Sequence, residues 1–453
     1  MDALGESGSE YRLGLYERAF SGARDRVGAG EIVALCDISL AHLDRTLRAN
    51  RRPDGLYHAY GVLRLGASAV GIGRLPLMLE GQVAALSSGT LEAEEAADLL
   101  AALRASELYR ADQASYLLYP DRWIKPFLEK NNIPEARGGG SRLIQALLAR
   151  GNGGIVERDE DGGLHFGASL RNARALEDAL GELAENASGD ALAGELSALA
   201  EAEAPLLLEL YEEVFDHRSF TGRSGTFCKY EGLGCVYWHM VSKLLVAVQE
   251  TIARARDEGS RDARARDANA VLSRLESAYR EIREGIGTHK SPADYGAFPT
   301  DPYSHTPSFV GVQQPGMTGQ AKEDIISRFG ELGARVEEGR LRFDPSFAAE
   351  DEFLSGPRDF SYVDALGQER IAALGAGSYA FTICQVLVVA HRADGSLARV
   401  DVGRADGSSF VVPGTMLDPE ASAAIFDRSG EIARLDVFFD SAYYDPSSRC
   451  PTR

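Results

Sequence analysis

Positive charge is scarce in this chain of 453 residues. Its 48 lysines and arginines stand against 68 aspartates and glutamates, a formal net charge of −20 at pH 7. A protein built to hold nucleic-acid phosphates carries the opposite balance, so nucleic acid is not an expected partner. The same deficit disfavours anionic membrane surfaces. Long apolar runs are missing too: the best stretch, 241–248, already contains Ser242 and Lys243, well short of the roughly 18 apolar residues of a spanning helix. Residues 1–10 are polar and acidic, without the basic and apolar regions of a secretory leader. Cysteines are few, odd in number and scattered (Cys36, Cys228, Cys235, Cys384, Cys450). That is the pattern of reduced thiols, so the expected setting is cytoplasmic.

The common catalytic signatures are absent as well. There is no GxxxxGK[ST] loop, no GxGxxG after a strand, no HExxH and no GxSxG, which removes the usual nucleotide, zinc-protease and serine-hydrolase routes. Cys228 and Cys235 are separated by six residues, a spacing that matches neither a CxxC knuckle nor a paired-histidine site. Neither a metal nor an organic cofactor is expected.

Hydrophobic residues make up 44% of the chain, ample for packed cores, and the length suits roughly three domains or one large unit with an appendage. Apolar residues recur at helical spacing up to about residue 334. The expected helices cover 10–27, 32–48, 75–87, 92–106, 142–150, 173–183, 191–214, 235–258, 264–284 and 320–332. The segment 236–252 is apolar nearly all round, which places it in an interior. Beyond residue 335 the signal turns to β. The run 381–390 reads as one buried strand, 399–402 and 410–412 flank Asp406-Gly407, and 432–439 alternates. The expected fold class is mainly α followed by β: a helical domain over 1–334 and an antiparallel β-sandwich over 335–453.

Two loops concentrate the chemistry. The first, 218–235, sets Glu231 between glycines beside Lys229 and Tyr230, just before the apolar helix. A carboxyl in such a partly buried place can keep its proton and act as a general acid; the plainer role is a helix cap or a pair with Lys229. The second, 295–320, offers flat faces (Tyr295, Phe298, Tyr303, Phe309) among hydrogen-bonding groups (Asp301, Ser304, His305, Gln313, Gln314). Such a mixture suits a sugar ring, whose C–H patches stack and whose hydroxyls pair; the alternative is a proline-stiffened cover for the core. Thr318-Gly319 then opens a helix whose free N–H groups can receive an anion, although Thr318 also serves as an ordinary N-cap.

The order of these parts resembles the C-terminal half of the inverting disaccharide phosphorylases of the cellobiose-phosphorylase type, and more loosely other glycan-cleaving (α/α)6-toroid enzymes. The likeness covers about residues 215–350. It rests on Lys229-Tyr230-Glu231-Gly232, on Gln314 with Thr318-Gly319, and on the segment 339–345 leading into the β region. It implies a toroid-like helical domain, Glu231 as general acid, and a phosphate site at Gln314, Thr318, Gly319 and His305, with Arg218 and Arg223 as available arginines. The implied partner is an oligo- or polysaccharide. Glu231 protonates the departing glycosidic oxygen, and the attacking group is inorganic phosphate or a water activated by Asp301, with Asp54 in reserve. In the hydrolytic case the two carboxyls stand about 6.5–9.5 Å apart. The reading from a different class is a non-catalytic glycan-binding or scaffolding module, such as the C-terminal part of a longer enzyme.

Overall fold

The computed structural model describes residues 2–18, 22, 26–66, 69–121, 125, 127–151, 153–185, 191–217, 233–259, 265–287, 290–295, 305–306, 318–392 and 398–439. Two helices come first, α1 (Asp2–Arg18) and α2 (Ala29–Ala49). Their apolar stripes, expected to face a core, are open to solvent: Tyr11 is 69% exposed, Leu35 65%, Ile38 59% and Leu43 60%. Helical spacing fixes an element but does not name its partner. The first helix also stops at Arg18, short of the expected end. A hairpin of β1 (Gly61–Leu65) and β2 (Val70–Arg74) follows, which the helical reading leaves out.

α3 (Leu79–Ser87) and α4 (Ala93–Ala105) lead to a small hairpin, β3 (Tyr109–Arg110) with β4 (Ser115–Tyr116). The segment before α3 is fixed by a wholly buried glutamine. Tyr57 N–H donates to Gln82 Oε1 (2.9 Å), while Gln82 Nε2 donates to the carbonyls of Tyr57 and Met78 (2.8 Å each). The buried amide is thereby satisfied.

Residues 127–217 build a core of their own. It contains the single turns α5 (Phe127–Lys130) and α6 (Glu135–Gly138), then α7 (Arg142–Ala149), a hairpin of β5 (Val156–Arg158) and β6 (Leu164–Phe166), α8 (Ala173–Glu185) and α9 (Ala191–Phe215). Ile144, Leu147, Phe166, Leu176, Leu207 and Tyr211 meet in it. Glu203 of α9 ties the unit together by accepting from Ser141 Oγ (2.5 Å) and Leu143 N–H (3.2 Å) at the start of α7. The chain enters and leaves at neighbouring points: Leu118 N–H donates to the Cys235 carbonyl (2.8 Å), and Gly234 N–H to that of Tyr119 (3.3 Å).

β7 (Val236–Tyr237) runs into α10 (Trp238–Gly259), and the all-round apolar character of this segment has its expected result. Trp238, Val241, Ser242, Leu244, Leu245, Ala247 and Val248 are all wholly buried. α11 (Ala265–Glu284), α12 (Pro292–Tyr295), β8 (His305–Thr306) and α13 (Thr318–Glu331) follow.

Contacts fix the directions of these helices. α3 starts where Leu79 N–H meets the Leu118 carbonyl, beside the start of α10, and ends where its Leu86 carbonyl accepts from Arg254 of α10 (2.9 Å). α13 meets α10 at Glu323 with His239 (3.6 Å) and at the Ser327 carbonyl with Gln249 (2.9 Å). These three helices therefore run the same way. α11 runs against them, as Arg256–Glu276 (2.6 Å) and Arg283–Asp324 (3.3 Å) show. α4 runs with α11, joined by Arg274 to Glu94 (2.7 Å) and Asp98 (2.6 Å) and by Arg104 to Glu281.

The C-terminal region is a β structure with one helix. Hairpins β9 (Ala334–Glu337)/β10 (Arg340–Phe343) and β11 (Arg358–Val363)/β12 (Glu369–Leu374) precede β13 (Ser378–Ile383), β14 (Val386–Arg392), β15 (Arg399–Arg404), β16 (Ser409–Pro413), α14 (Pro419–Phe426) and β17 (Ile432–Phe439). The last five strands form one sheet in the order β13-β14-β17-β15-β16. Its pairs are antiparallel except β14 with β17, which run parallel. That corrects the purely antiparallel expectation, because the long connection through β15, β16 and α14 can return the chain in the same direction. The run 381–390 is two strands and not one. They turn at Cys384-Gln385, both left-handed (φ +48° and +65°), as a two-residue hairpin requires. Alternation along β14 puts Val386, Val388 and Ala390 on the face covered by Ile425 of α14, and Leu387 and Val389 under Ala372 and Leu374 of β12.

α11 ends against the turn Ala111–Gln113, where a Cβ on Gly285 would overlap the Ala114 carbonyl. A backbone oxygen cannot swing aside. Gly285→Ala should therefore cost about 1–3 kcal/mol of stability, read as a lower urea midpoint at constant slope. An unchanged midpoint would show that the two segments do not touch.

Candidate functional site

The N-terminal ends of α3, α10 and α13 lie at one end of the helical core. Each helix leaves its first N–H groups without helical partners there and presents the positive end of its dipole. At the same end β7 pairs with β8, Val236 opposite Thr306 and Tyr237 opposite His305. The roots of the two chemistry-bearing loops are thus held side by side, although they are far apart in the chain.

Of the residues singled out in the sequence, Glu231, Tyr230, Arg218, Arg223, Asp301, Tyr303, Gln313 and Gln314 lie outside the described residues. The backbone of His305 is in β8, and Thr318 and Gly319 are the first residues of α13. That helix was expected from Gln320, with Thr318 ahead of it as a cap.

Two candidates have described side chains, and both are engaged elsewhere. Asp54 accepts from Arg52 Nε (3.1 Å) and Nη2 (2.7 Å) and from Leu56 N–H (3.2 Å) in a turn beside α4. The Arg52 guanidinium first, and then the Leu56 N–H, hold this carboxyl below its ordinary range. It closes a turn. Tyr295 was expected to offer a ring face to a sugar but is 3% exposed. Its ring meets Trp238 edge-on (5.4 Å between centroids), and its hydroxyl accepts from Gly287 N–H (2.9 Å). Of the other histidines, His165 is held by Asp159 (2.7 Å) and the Asn131 carbonyl. His58 instead leaves a buried Nδ1 without a partner among the described residues.

The structure adds groups that sequence reading passes over. At the start of α10, Tyr237 Oη stands 3.2 Å from His239 Nδ1, and His239 Nε2 stands 3.6 Å from Glu323 Oε1 of α13. The second distance lies within ion-pair reach but beyond a hydrogen bond, and Nε2 is sealed from solvent with no hydrogen-bond partner among the described residues. Burial, and then Lys243 one turn along, hold the imidazole below its ordinary value, with Glu323 pulling the other way. The only sequence signal was a Tyr-Trp-His triplet opening an apolar helix.

Lys290 is the second addition. It is buried, donates to the carbonyl and to Oε1 (3.0 Å) of Gln113, and lies over the rings of Tyr295 (4.6 Å) and Trp238 (5.1 Å). Burial pulls its ammonium down to about 8, against the opposing pull of Asp112 and Asp294. It clamps the root of the second loop onto the start of α10.

Among the described residues no three His, Cys, Asp or Glu side chains gather as a metal site requires, and no helix is long and apolar enough to cross a membrane. Residues 124–218 match the family described as GH149 phosphorylase insertion domain 2. This segment, the unit with its own core, is therefore related to glycoside phosphorylases. No curated protein matches the chain.

The Lys290 clamp has a pH signature. Folded, the amine gives up its proton at about 8; unfolded, at 10.5. The unfolded chain holds more protons between those values, so stability rises with pH across that window. Wild type should gain on Lys290→Met between pH 8 and 10.5 in paired denaturant titrations. A constant difference would mean the amine is not buried.

Proposed function

We propose that this chain acts in the cleavage of a glycosidic bond of an oligosaccharide by inorganic phosphate. The observation that carries the reading is the β7–β8 pairing. It anchors both loops at the positive ends of α10 and α13, in a chain whose neighbouring segment is related to glycoside phosphorylases. In this reading Glu231 protonates the departing glycosidic oxygen while a phosphate oxygen attacks the anomeric carbon from the opposite face. One C–O bond breaks, another forms to phosphate, and the proton leaves on the released sugar.

Phosphate arrives already ionised and needs no base. Its place is at the first turn of α13, with Thr318, Gly319, Gln314 and His305, and Arg218 and Arg223 as counter-charges. Tyr230, Tyr303 and Gln313 contact the sugar. Asp301 has a role only if water replaces phosphate. Asp54 and Tyr295, engaged as described, have none.

The same reading extends to architecture. Alternating helix directions in the pairs α3/α4 and α10/α11 support an (α/α)-toroid-like body over 1–334, of the cellobiose-phosphorylase type. The five-stranded sheet with its covering hairpin supports a reduced sandwich over 335–453. Five cysteines, few, odd in number and scattered, suit a reducing, cytoplasmic setting.

The test is incubation with oligosaccharides with and without phosphate, reading sugar 1-phosphate. Wild type should release it, and Glu231→Gln should lose about 10²–10⁴-fold in turnover while keeping glycan affinity by calorimetry. Release of free sugar without phosphate would move the reading to hydrolysis with Asp301 as base. Glycan binding with no turnover would make the chain a binding module.

A further inference from the structure

We propose that this chain forms a two-fold dimer in which α2 of each copy lies across the apolar face of the other copy's β1–β2 hairpin. The inference stands apart from the phosphorolysis reading and uses none of its residues.

Both elements are built one-sided. Along α2, Ile32, Cys36, Leu40, Leu43 and Leu47 follow one another at spacings of three and four, which makes a single stripe. Leu47, the last of them, rests on the helical core. Ile32, Cys36, Leu40 and Leu43 stand in solvent, and no residue of the helix is buried. In the hairpin Leu63 lies opposite Ile72 and Leu65 opposite Val70, so these four share one face. All four are exposed, Leu65 and Ile72 at 74% each. The other face carries Val62 and Arg64 opposite Gly73 and Gly71.

Neither element is self-sufficient. A helix owes most of its stability to the packing of its apolar face, and a lone two-stranded hairpin is marginal in water. Both leave the body at one point. Arg74, on the same strand face as Ile72, donates to the Ala49 carbonyl at the end of α2 (3.2 Å), and His58 N–H donates to that of Asn50 (2.9 Å). The two apolar faces thus begin side by side without covering each other.

Area and charge name the occupant. The exposed apolar side chains of the stripe and the hairpin face present on the order of 1,000 Å², beyond the roughly 300–600 Å² of the largest patch on an ordinary monomer. It is enough for the ~800 Å² that each partner gives to a standard interface. The charges favour an exchange. Residues 29–44 carry Glu31, Asp37 and Asp44 and no lysine or arginine, whereas residues 55–79 carry Arg64 and Arg74 and no acid. Helix on helix would set acid against acid, and hairpin on hairpin arginine against arginine. Helix on hairpin brings opposite signs together, and a two-fold axis makes that contact twice. Copies of net charge −20 repel at long range, and the acid-free hairpin is a face of approach that opposes them least.

Sedimentation equilibrium of the full chain is the experiment. Wild type should be a dimer at micromolar concentration. Leu40→Glu on α2 and Ile72→Glu on the hairpin replace exposed side chains, so the far-ultraviolet circular dichroism of the body should be retained. Each should raise the dimer dissociation constant about thirtyfold or more. Arg64→Glu should raise it about two- to fivefold at low salt and less at high salt. Cys36 should react with a maleimide more slowly in the wild-type dimer than in either glutamate variant. A chain that stays monomeric up to millimolar concentration overturns the proposal; a protected Cys36 in that monomer would place a segment of its own chain over the stripe. A dimer that survives both glutamate substitutions overturns it as well. One broken by Leu40→Glu but not by Ile72→Glu overturns the exchange of helix and hairpin.

Discussion

The arrangement depends on the enclosure of α10. A helix with Trp238, Val241, Leu244, Leu245 and Val248 all sealed from water must be covered on every side, and each such side chain contributes about 1.5–3 kcal/mol when buried. Covering it dictates where α3, α11 and α13 lie, and their polar contacts dictate which way they run. The gathering of three helix starts at one end follows from that packing. So does the pairing of β7 with β8, because the strand that leads into α10 carries the first loop to the same place as the second.

This geometry resolves a tension in the composition. A chain of net charge −20 repels phosphate at long range. Binding an anion then falls to local features: oriented N–H groups, helix dipoles and a few cations. Screening at physiological salt weakens the distant repulsion within about 8 Å, while contacts at a helix end keep their strength. The acidic surface is therefore compatible with the proposed phosphate site.

Much of the fold was legible because it follows from periodicity. The helices over 142–149, 191–215, 238–259 and 265–284 lie within one to three residues of their expected bounds, and the strand over 432–439 coincides with its own. What stayed hidden had no local signal. The turn at Cys384-Gln385 sits inside an apolar run and lacks the glycine or asparagine that usually marks left-handed residues. The exposure of Leu35 and Ile38 is a fact about missing neighbours, which no stripe records. Asp54 and Tyr295 looked like site residues because of their company in sequence, yet their partners are Arg52 and Trp238. His239 and Glu323 meet across two helices some eighty positions apart, a relation visible only after packing.

The segment 124–218 also bears on how such a chain changes over time. Leu118 and Cys235 are hydrogen-bonded neighbours, so the described residues 127–217 hang from the body as an excursion with private packing. Closing a longer or shorter excursion alters its entropy only by the logarithm of its length. The body's register does not depend on what the excursion contains. A lineage could enlarge, trim or exchange that pendant without disturbing the helices behind it.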